Sequence, residues 1–588
     1  MGRLNVYPGR PSPAGSSRSH RRRWTLGALL AAGALTLAAC GGSGGTSSSS
    51  SAGTSAVKSG GSINFALDED VAGFNINYAN DSEFVLQEIL DQVWPMVFTI
   101  QPNLKPVLNT QLMTSAKETS TNPQTIVYQI NPKAKWSDGV PINAEDFIYN
   151  WQAQSGNPKY KDKGGKPFLP ASTSGYNQIK SVTGSNGGKT VTVVMSKPFG
   201  DWQALFSTSP LMPAHIAKKV GFNDGFQTFG PAVQVSGGPY MIQSYKKGQN
   251  LVEVRNPHYW GTPGKLSKII FSFILNDDQA PPAIQNGETN IVNPALASTT
   301  FYAQVKAIQG FTTQVKPGLE FQHLDFNQAN PYLAKPDIRH AIAYGTNRPQ
   351  MIQRIVDPLH PQPAIGPLQN RIYMPTQPQF QDTSAGYGAY NPTKAKALLK
   401  ASGMTMGSDG YFHPNFGPDK GKDLTFTLST TSGVPVRAQI EELFQASMKN
   451  IGVKINIHNY DANTLFGTVG PKSEFDIIEF AWVSTPFASG NQSIYCSFTN
   501  KNVCGENWDH YANPQVDSLF NQALSSTDPA TAAKFYNQVD ALLWKDMVTL
   551  PLFQQPTLFG WSSKYGNLIP NTSNIGIPWN AQQWGVKS

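Results

Sequence analysis

The chain has 588 residues, of which 39% are hydrophobic and 11% aromatic, and a formal charge of +8. That is enough apolar material for sizeable cores and, by length, for two or three domains. The charge is concentrated at the amino end: residues 1–39 hold six arginines and no acid, so the other 549 residues carry only +2, which removes the charge argument for a nucleic-acid partner.

The basic segment from Arg3 to Arg23 is followed by an apolar run, Trp24 to Ala39. The run is shorter than the roughly 20 residues of a membrane span, and a basic region, a short apolar run and small residues before a break describe a secretory signal over 1–39. The break, Leu37-Ala38-Ala39-Cys40, resembles the bacterial lipobox, which implies that Cys40 is diacylated (the palmitate-type modification) and becomes the first residue of an extracytoplasmic protein on the outer face of the cell membrane. From Gly41 to Gly61 nearly every residue is Gly, Ser, Thr or Ala, so 40–61 is expected to be a lipidated cysteine with a flexible tether. Two acyl chains suffice for stable anchoring, and no later apolar run approaches spanning length.

Strands are expected where apolar and polar residues alternate: Ser62–Leu67, Thr125–Ile130 and Thr190–Met195. Asn391 and Pro392 predict a helix start, Ala395, Leu398 and Leu399 share its face, and Gly403 closes it. Leu424, Phe426 and Leu428 alternate as a strand. Val436 to Asn450 has helical period, with Ile440, Leu443, Phe444 and Met448 on one face, and Val453, Ile455 and Ile457 alternate again. Strand, helix, strand in about thirty-five residues predicts a βαβ crossover and parallel sheet. Phe475–Phe480 reads as a further strand running into Trp482. Asp528-Pro529 starts another helix, with Phe535, Tyr536, Val539, Leu542 and Leu543 on its buried side. Of three cysteines, Cys40 is taken by the lipid; Cys496 and Cys504 read as one local disulfide in an oxidising compartment, the alternative being a metal pair, for which no further ligand has the spacing.

Catalytic signatures are missing: there is no Walker A loop, no HExxH helix and no GxSxG elbow. The nine histidines are scattered, and His215, His323 and His458 read as surface or satisfied core groups. The acidic run Asp68-Glu69-Asp70 reads as a solvated loop rather than a carboxylate pair. No cofactor, metal site or enzyme activity is expected.

Five stretches in order resemble the peptide/nickel/opine-type solute-binding proteins (family 5) of bacterial ABC importers. They are Trp136-Ser137-Asp138-Gly139-Val140-Pro141 through Phe147 to Trp151; Ser236-Gly237-Gly238-Pro239-Tyr240 with Arg255-Asn256-Pro257-His258-Tyr259-Trp260; Phe326-Asn327 with Asp337 to Tyr344 and Asn347-Arg348; Tyr390-Asn391-Pro392 through Gly403; and Tyr511-Ala512-Asn513-Pro514 to Leu519. The resemblance implies an α/β, two-lobed periplasmic-binding-protein type II fold: lobe I over 62–317 with an extra subdomain at about 85–215, lobe II over 318–540, and a return to lobe I over 541–588. It also implies a monomer that captures an oligopeptide or similar small polar solute by lobe closure and delivers it to ABC permease and ATPase subunits. A nickel or metal-chelate receptor, a sensing lipoprotein and a secreted hydrolase are the alternatives. By the same resemblance, the motifs shape turns and cores, and ligand contacts fall elsewhere: on Trp482, Val483, Ser484, Thr485 and Phe487 after the lobe II strand, on Asp70, Phe74 and Asn75 of an early loop, and on Tyr495. Relatives often carry an aspartate for the ligand's α-ammonium where this chain has Thr485. A hydroxyl cannot form that ion pair, so either Asp70 replaces the acid or the ligand lacks a free amino terminus there.

Overall fold

The computed structural model describes residues 55–588, apart from 275–276 and 500–503 and the side chains at 277 and 463. The expected signal, Cys40 and the tether up to residue 54 lie outside the described residues. The tether's expected end at 61 is passed early: Val57–Lys58 already forms a strand, pairing with Gly585–Lys587, because Val57 has a partner strand to cover it.

Among the described residues, ten strands form one mixed sheet, in the order 454–457, 425–429, 477–483, 311–326, 549–562, 291–292, 62–67, 268–273, 250–255 and 240–246. Thr425–Ser429 and Lys454–Ile457 are parallel and joined by helix Pro435–Ile451, the expected crossover. Gly452, at φ +80°, ends that helix in the left-handed conformation that a side chain would resist. Asn391 caps helix Pro392–Ala401 by accepting from the Lys394 N–H, and Asp528 does the same for Pro529–Asp546 through the Thr531 N–H.

Two large cores lie on either side of the central pair of strands. One gathers Phe65, Trp94, Trp136, Phe271 and Trp584; the other gathers Phe326, Phe426, Phe444, Met448 and Trp544. A separate four-stranded antiparallel sheet, in the order Met113–Thr121, Gln124–Ile130, Thr190–Met195, Ile179–Ser185, carries helix Ala144–Gln154 against it.

The sequence motifs do structural work. Trp136 is fully buried and donates from Nε1 to Asp146 (3.3 Å), which also accepts from the Asn143 and Ala214 N–H groups and so ties the turn to the helix start. A Cβ at Gly238 would overlap the Gln92 carbonyl, so only glycine lets these segments touch. Arg348 donates to the Leu368 and Pro551 carbonyls (2.7 and 2.8 Å), and Arg371 meets Asp540 at 3.2 Å with both side chains sealed from water.

Candidate functional site

Among the described residues, the long strands Phe311–Phe326 and Thr549–Ser562 join the two halves of the large sheet. Their ladder is regular from Phe311 to Pro317, breaks before it resumes at Phe321, and shifts register once more between Gln322 and His323. Proline at 317 and 556 has no N–H to give to a ladder, so the chain bulges. The Gly318 carbonyl accepts from the Gln554 amide at 2.5 Å, and the Leu319 N–H is sent to Thr572 O.

The break places Glu320 opposite Val483 in the next strand, and directly opposed residues share a face of the sheet. The same face carries Gln322 opposite Ala481, and Glu479. Val483 is 45% exposed, so the face is open there. Gln555 Nε2 donates to Glu320 Oε2 (2.7 Å) and to the Ala295 carbonyl, and the Ala295 N–H donates to Asp68 Oδ2 (2.7 Å). Two residues earlier, Asn293 Nδ2 donates to Glu88 Oε1 at 3.3 Å. On the other side, Thr430 donates to Glu479 (2.7 Å), and Arg437, from the first turn of helix Pro435–Ile451, stands 4.0 Å from the same carboxylate and donates to Thr431.

Burial pushes the Asp68 carboxyl up to about 7, with the neighbouring Glu69 charge adding to the rise and Arg437 opposing it. Burial, then the Asp68 charge, holds Glu320 at about 8. Burial and the charges of Asp68, Asp91 and Glu320 put Glu88 well above the carboxylate range. Asp68, expected in a solvated loop, is instead drawn inward by the Ala295 N–H, because the end of strand Ser62–Leu67 runs straight into this wall. Its neighbour Glu69 is exposed.

The expected contact residues separate into groups. Trp482 stacks on His323 (5.9 Å between rings, 15° between planes), with Phe480 and Trp508 at 4.9 and 5.8 Å, and its indole N–H has no partner among the described residues. Ser484 is half-buried. The Thr485 hydroxyl is turned onto its own chain, donating to Phe487 O and accepting from Phe487 N–H, both at 3.2 Å. Phe487 is buried against Met96, Ile100, Ala204 and Ile575. Tyr495 is buried with Cys496 and Cys504, which are joined as a disulfide. Asp70 is held by the Tyr245 hydroxyl (3.0 Å) and the Gly248 N–H (2.7 Å), so its carboxylate secures a hairpin turn. Phe74 is buried beside Tyr245 and Phe229, and Asn75 is fully buried and donates to Phe222 O.

Glu320, Glu88, Glu479 and Arg437 were not singled out from the sequence. Glu479 carried a readable signal, being the only ionisable residue between Ile477 and Trp482; the others become neighbours only through the topology. Asp409, His413 and Asp423 bring three ligand-type atoms together at the hairpin Met404–Pro414, where the Lys454 ammonium already sits on Asp423 at 3.0 Å, a charge that opposes a metal cation.

The model of the bacterial extracellular solute-binding proteins, family 5 Middle, matches residues 107–503. The oligopeptide-binding protein OppA of Mycobacterium tuberculosis is 30% identical over 509 residues, covering 85% of this chain and 81% of that protein. The probable monoacyl phosphatidylinositol tetramannoside-binding protein LpqW of the same species is 25% identical over 429 residues, covering 67% and 64%. Among solved structures, the periplasmic EDTA-binding protein EppA superposes with a TM-score of 0.80 at 26% identity, over 91% of this chain and 98% of that one. AppA of Bacillus subtilis, in complex with a nonapeptide, superposes with a TM-score of 0.78 at 19% identity, over 91% and 100%.

Proposed function

The chain belongs to the bacterial extracellular solute-binding proteins of family 5, and we propose that it is the lipid-anchored receptor of an ABC importer, taking up an oligopeptide or a similar small polar solute and passing it to a permease with its ATPase subunits. The family consists of binding proteins, not enzymes, and its fold is the two-lobed type II periplasmic-binding fold. In this reading 62–317 and 541–588 make lobe I, with the four-stranded sheet inside a subdomain at about 85–215, and 318–540 makes lobe II. The protein acts as a monomer, anchored through Cys40.

The observation that carries the reading is the two-strand connection broken at Pro317 and Phe321. Two strands with an irregular ladder bend at low cost, which is what closure of one lobe on another requires. The segment 482–487 then acts as the lobe II wall, and Phe487 as the point where that wall meets Met96 and Ile575.

A second reading, a metal chelate or other non-peptide solute, is favoured by Thr485, which lacks the carboxylate that would hold an α-ammonium. Against a polyanionic chelate stand the carboxyl groups of Asp68, Glu69, Glu88, Glu320 and Glu479, with one guanidinium, Arg437, 4.0 Å from Glu479. A polyanion placed among them would push these carboxyls up further and meet only that one cation, so the peptide-like solute is the better fit. Native mass spectrometry of the mature protein, purified without denaturation, tests this. Copurified masses forming a peptide series support it, and a single non-peptide mass replaces it with the second reading.

A further inference from the structure

The acids of this gap come from three separate elements: Asp68 from the end of strand Ser62–Leu67, Glu88 from helix Phe84–Leu90, and Glu320 from the break in the shared strand. They are stitched together by Asn293 and Ala295 of one short segment. The amide donors at this wall are already spent: the Ala295 N–H on Asp68, the Gln555 amide on Glu320 and Ala295, the Asn293 amide on Glu88. What remains without a partner among the described residues is a pair of side-chain oxygens, Glu88 Oε2 and Asn293 Oδ1, on residues only 1% and 3% exposed. A buried polar oxygen left without a partner is costly, and here there are two, on residues tied to each other by the Asn293–Glu88 hydrogen bond.

We propose that this wall is a subsite for an organic cation of the ligand, a primary ammonium or a guanidinium, held by Asp68, Glu88 and Glu320 with the Asn293 carbonyl oxygen completing the acceptor set. The inference rests on the receptor reading above and adds the charge class of what is received. Ammonium and guanidinium carry several N–H donors and no acceptor, matching a wall whose amide donors are all taken; the cation displaces the carboxyl protons. A hard metal ion draws six or more oxygens about itself, whereas these carboxylates are each tied to separate amide donors. Arg437 does not fill the role, since it is engaged with Thr431 and Glu479 on the opposite side.

The test uses calorimetry on the intact mature chain freed of copurified ligand. Probes are the pentapeptide Ala-Ala-Lys-Ala-Ala capped at both ends, its norleucine analogue capped and with a free amine, and spermidine. The capped lysine peptide is expected to bind about tenfold or more tighter than capped norleucine, the scale of one desolvated charge pair. Glu320→Gln and Glu88→Gln, each checked for cooperative unfolding at a stability no lower than wild type, should abolish that preference. A preference for the free-amine norleucine peptide that is lost in the same variants assigns the site to a terminal ammonium. Variant-sensitive binding of spermidine with no peptide bound keeps the subsite and removes the peptide reading. Equal affinity for charged and neutral peptides keeps the peptide reading and overturns the subsite. Binding of no probe, or a lysine preference that survives both variants, also overturns it.

Discussion

Glu320 offers a direct measure of how strongly the gap disfavours negative charge. Its carboxyl is held at about 8 in the folded chain, against an ordinary 4.5. Between those values the native state keeps a proton that the unfolded chain has lost, so stability is fully present below about pH 4.5 and is lost as pH rises through 8. Each unit is worth about 1.4 kcal/mol, which sets a ceiling of about 5 kcal/mol. Glu320 is half-buried, so solvent screens part of the penalty and about 2–3 kcal/mol is expected. Glu320→Gln removes the titration while keeping an oxygen that can accept from Gln555. Urea unfolding of both proteins at pH 5 and pH 8.5 should therefore show the variant gaining about 2–3 kcal/mol on wild type as pH rises. A difference that stays flat across that interval refutes the argument that this carboxyl is held neutral by its surroundings.

Thr485→Asp should make the receptor prefer a peptide with a free amino terminus over its N-acetylated form by about tenfold or more, whereas wild type tolerates acetylation; calorimetry reads both. Cys496→Ser or Cys504→Ser should lower stability by about 2–3 kcal/mol, the chain-entropy value for so short a loop, measured by urea unfolding without reductant. Cys40→Ser should release the protein from membranes into the medium; a variant that remains membrane-bound after a carbonate wash contradicts the anchor. Binding of a lysine peptide near pH 7 should release protons, because a cation beside Asp68 and Glu320 lowers carboxyl pKa values that stand at about 7 and 8. Calorimetric heats that change with the ionisation enthalpy of the buffer would report it.

Local pattern was enough for the elements. Alternation at Phe426 and Ile455 around the amphipathic helix Pro435–Ile451 foretold a parallel crossover, because burial of one helix face and of a strand leaves its period in the chain. Helix starts at Asn391 and Asp528 were legible for a similar reason: a side-chain oxygen satisfies an N–H three residues ahead, an interaction contained in the local sequence. The order of the family motifs gave the fold class on the same footing, since Trp136, Gly238 and Arg348 are packing residues whose partners the fold always supplies. The gap was different. Asp70 and Asp68 sit two residues apart in one acidic run, yet one is spent on a hairpin turn and the other on the Ala295 N–H, because the strand's end, the Tyr245 hydroxyl and the Ala295 N–H divide them. Glu88, Asn293, Glu320 and Gln555 are separated by between 27 and 467 positions in the chain and meet only where the two shared strands break register. No periodicity records such a meeting, because the charge and hydrogen-bond balance that makes these residues a site is a property of the assembled walls and of the water they exclude.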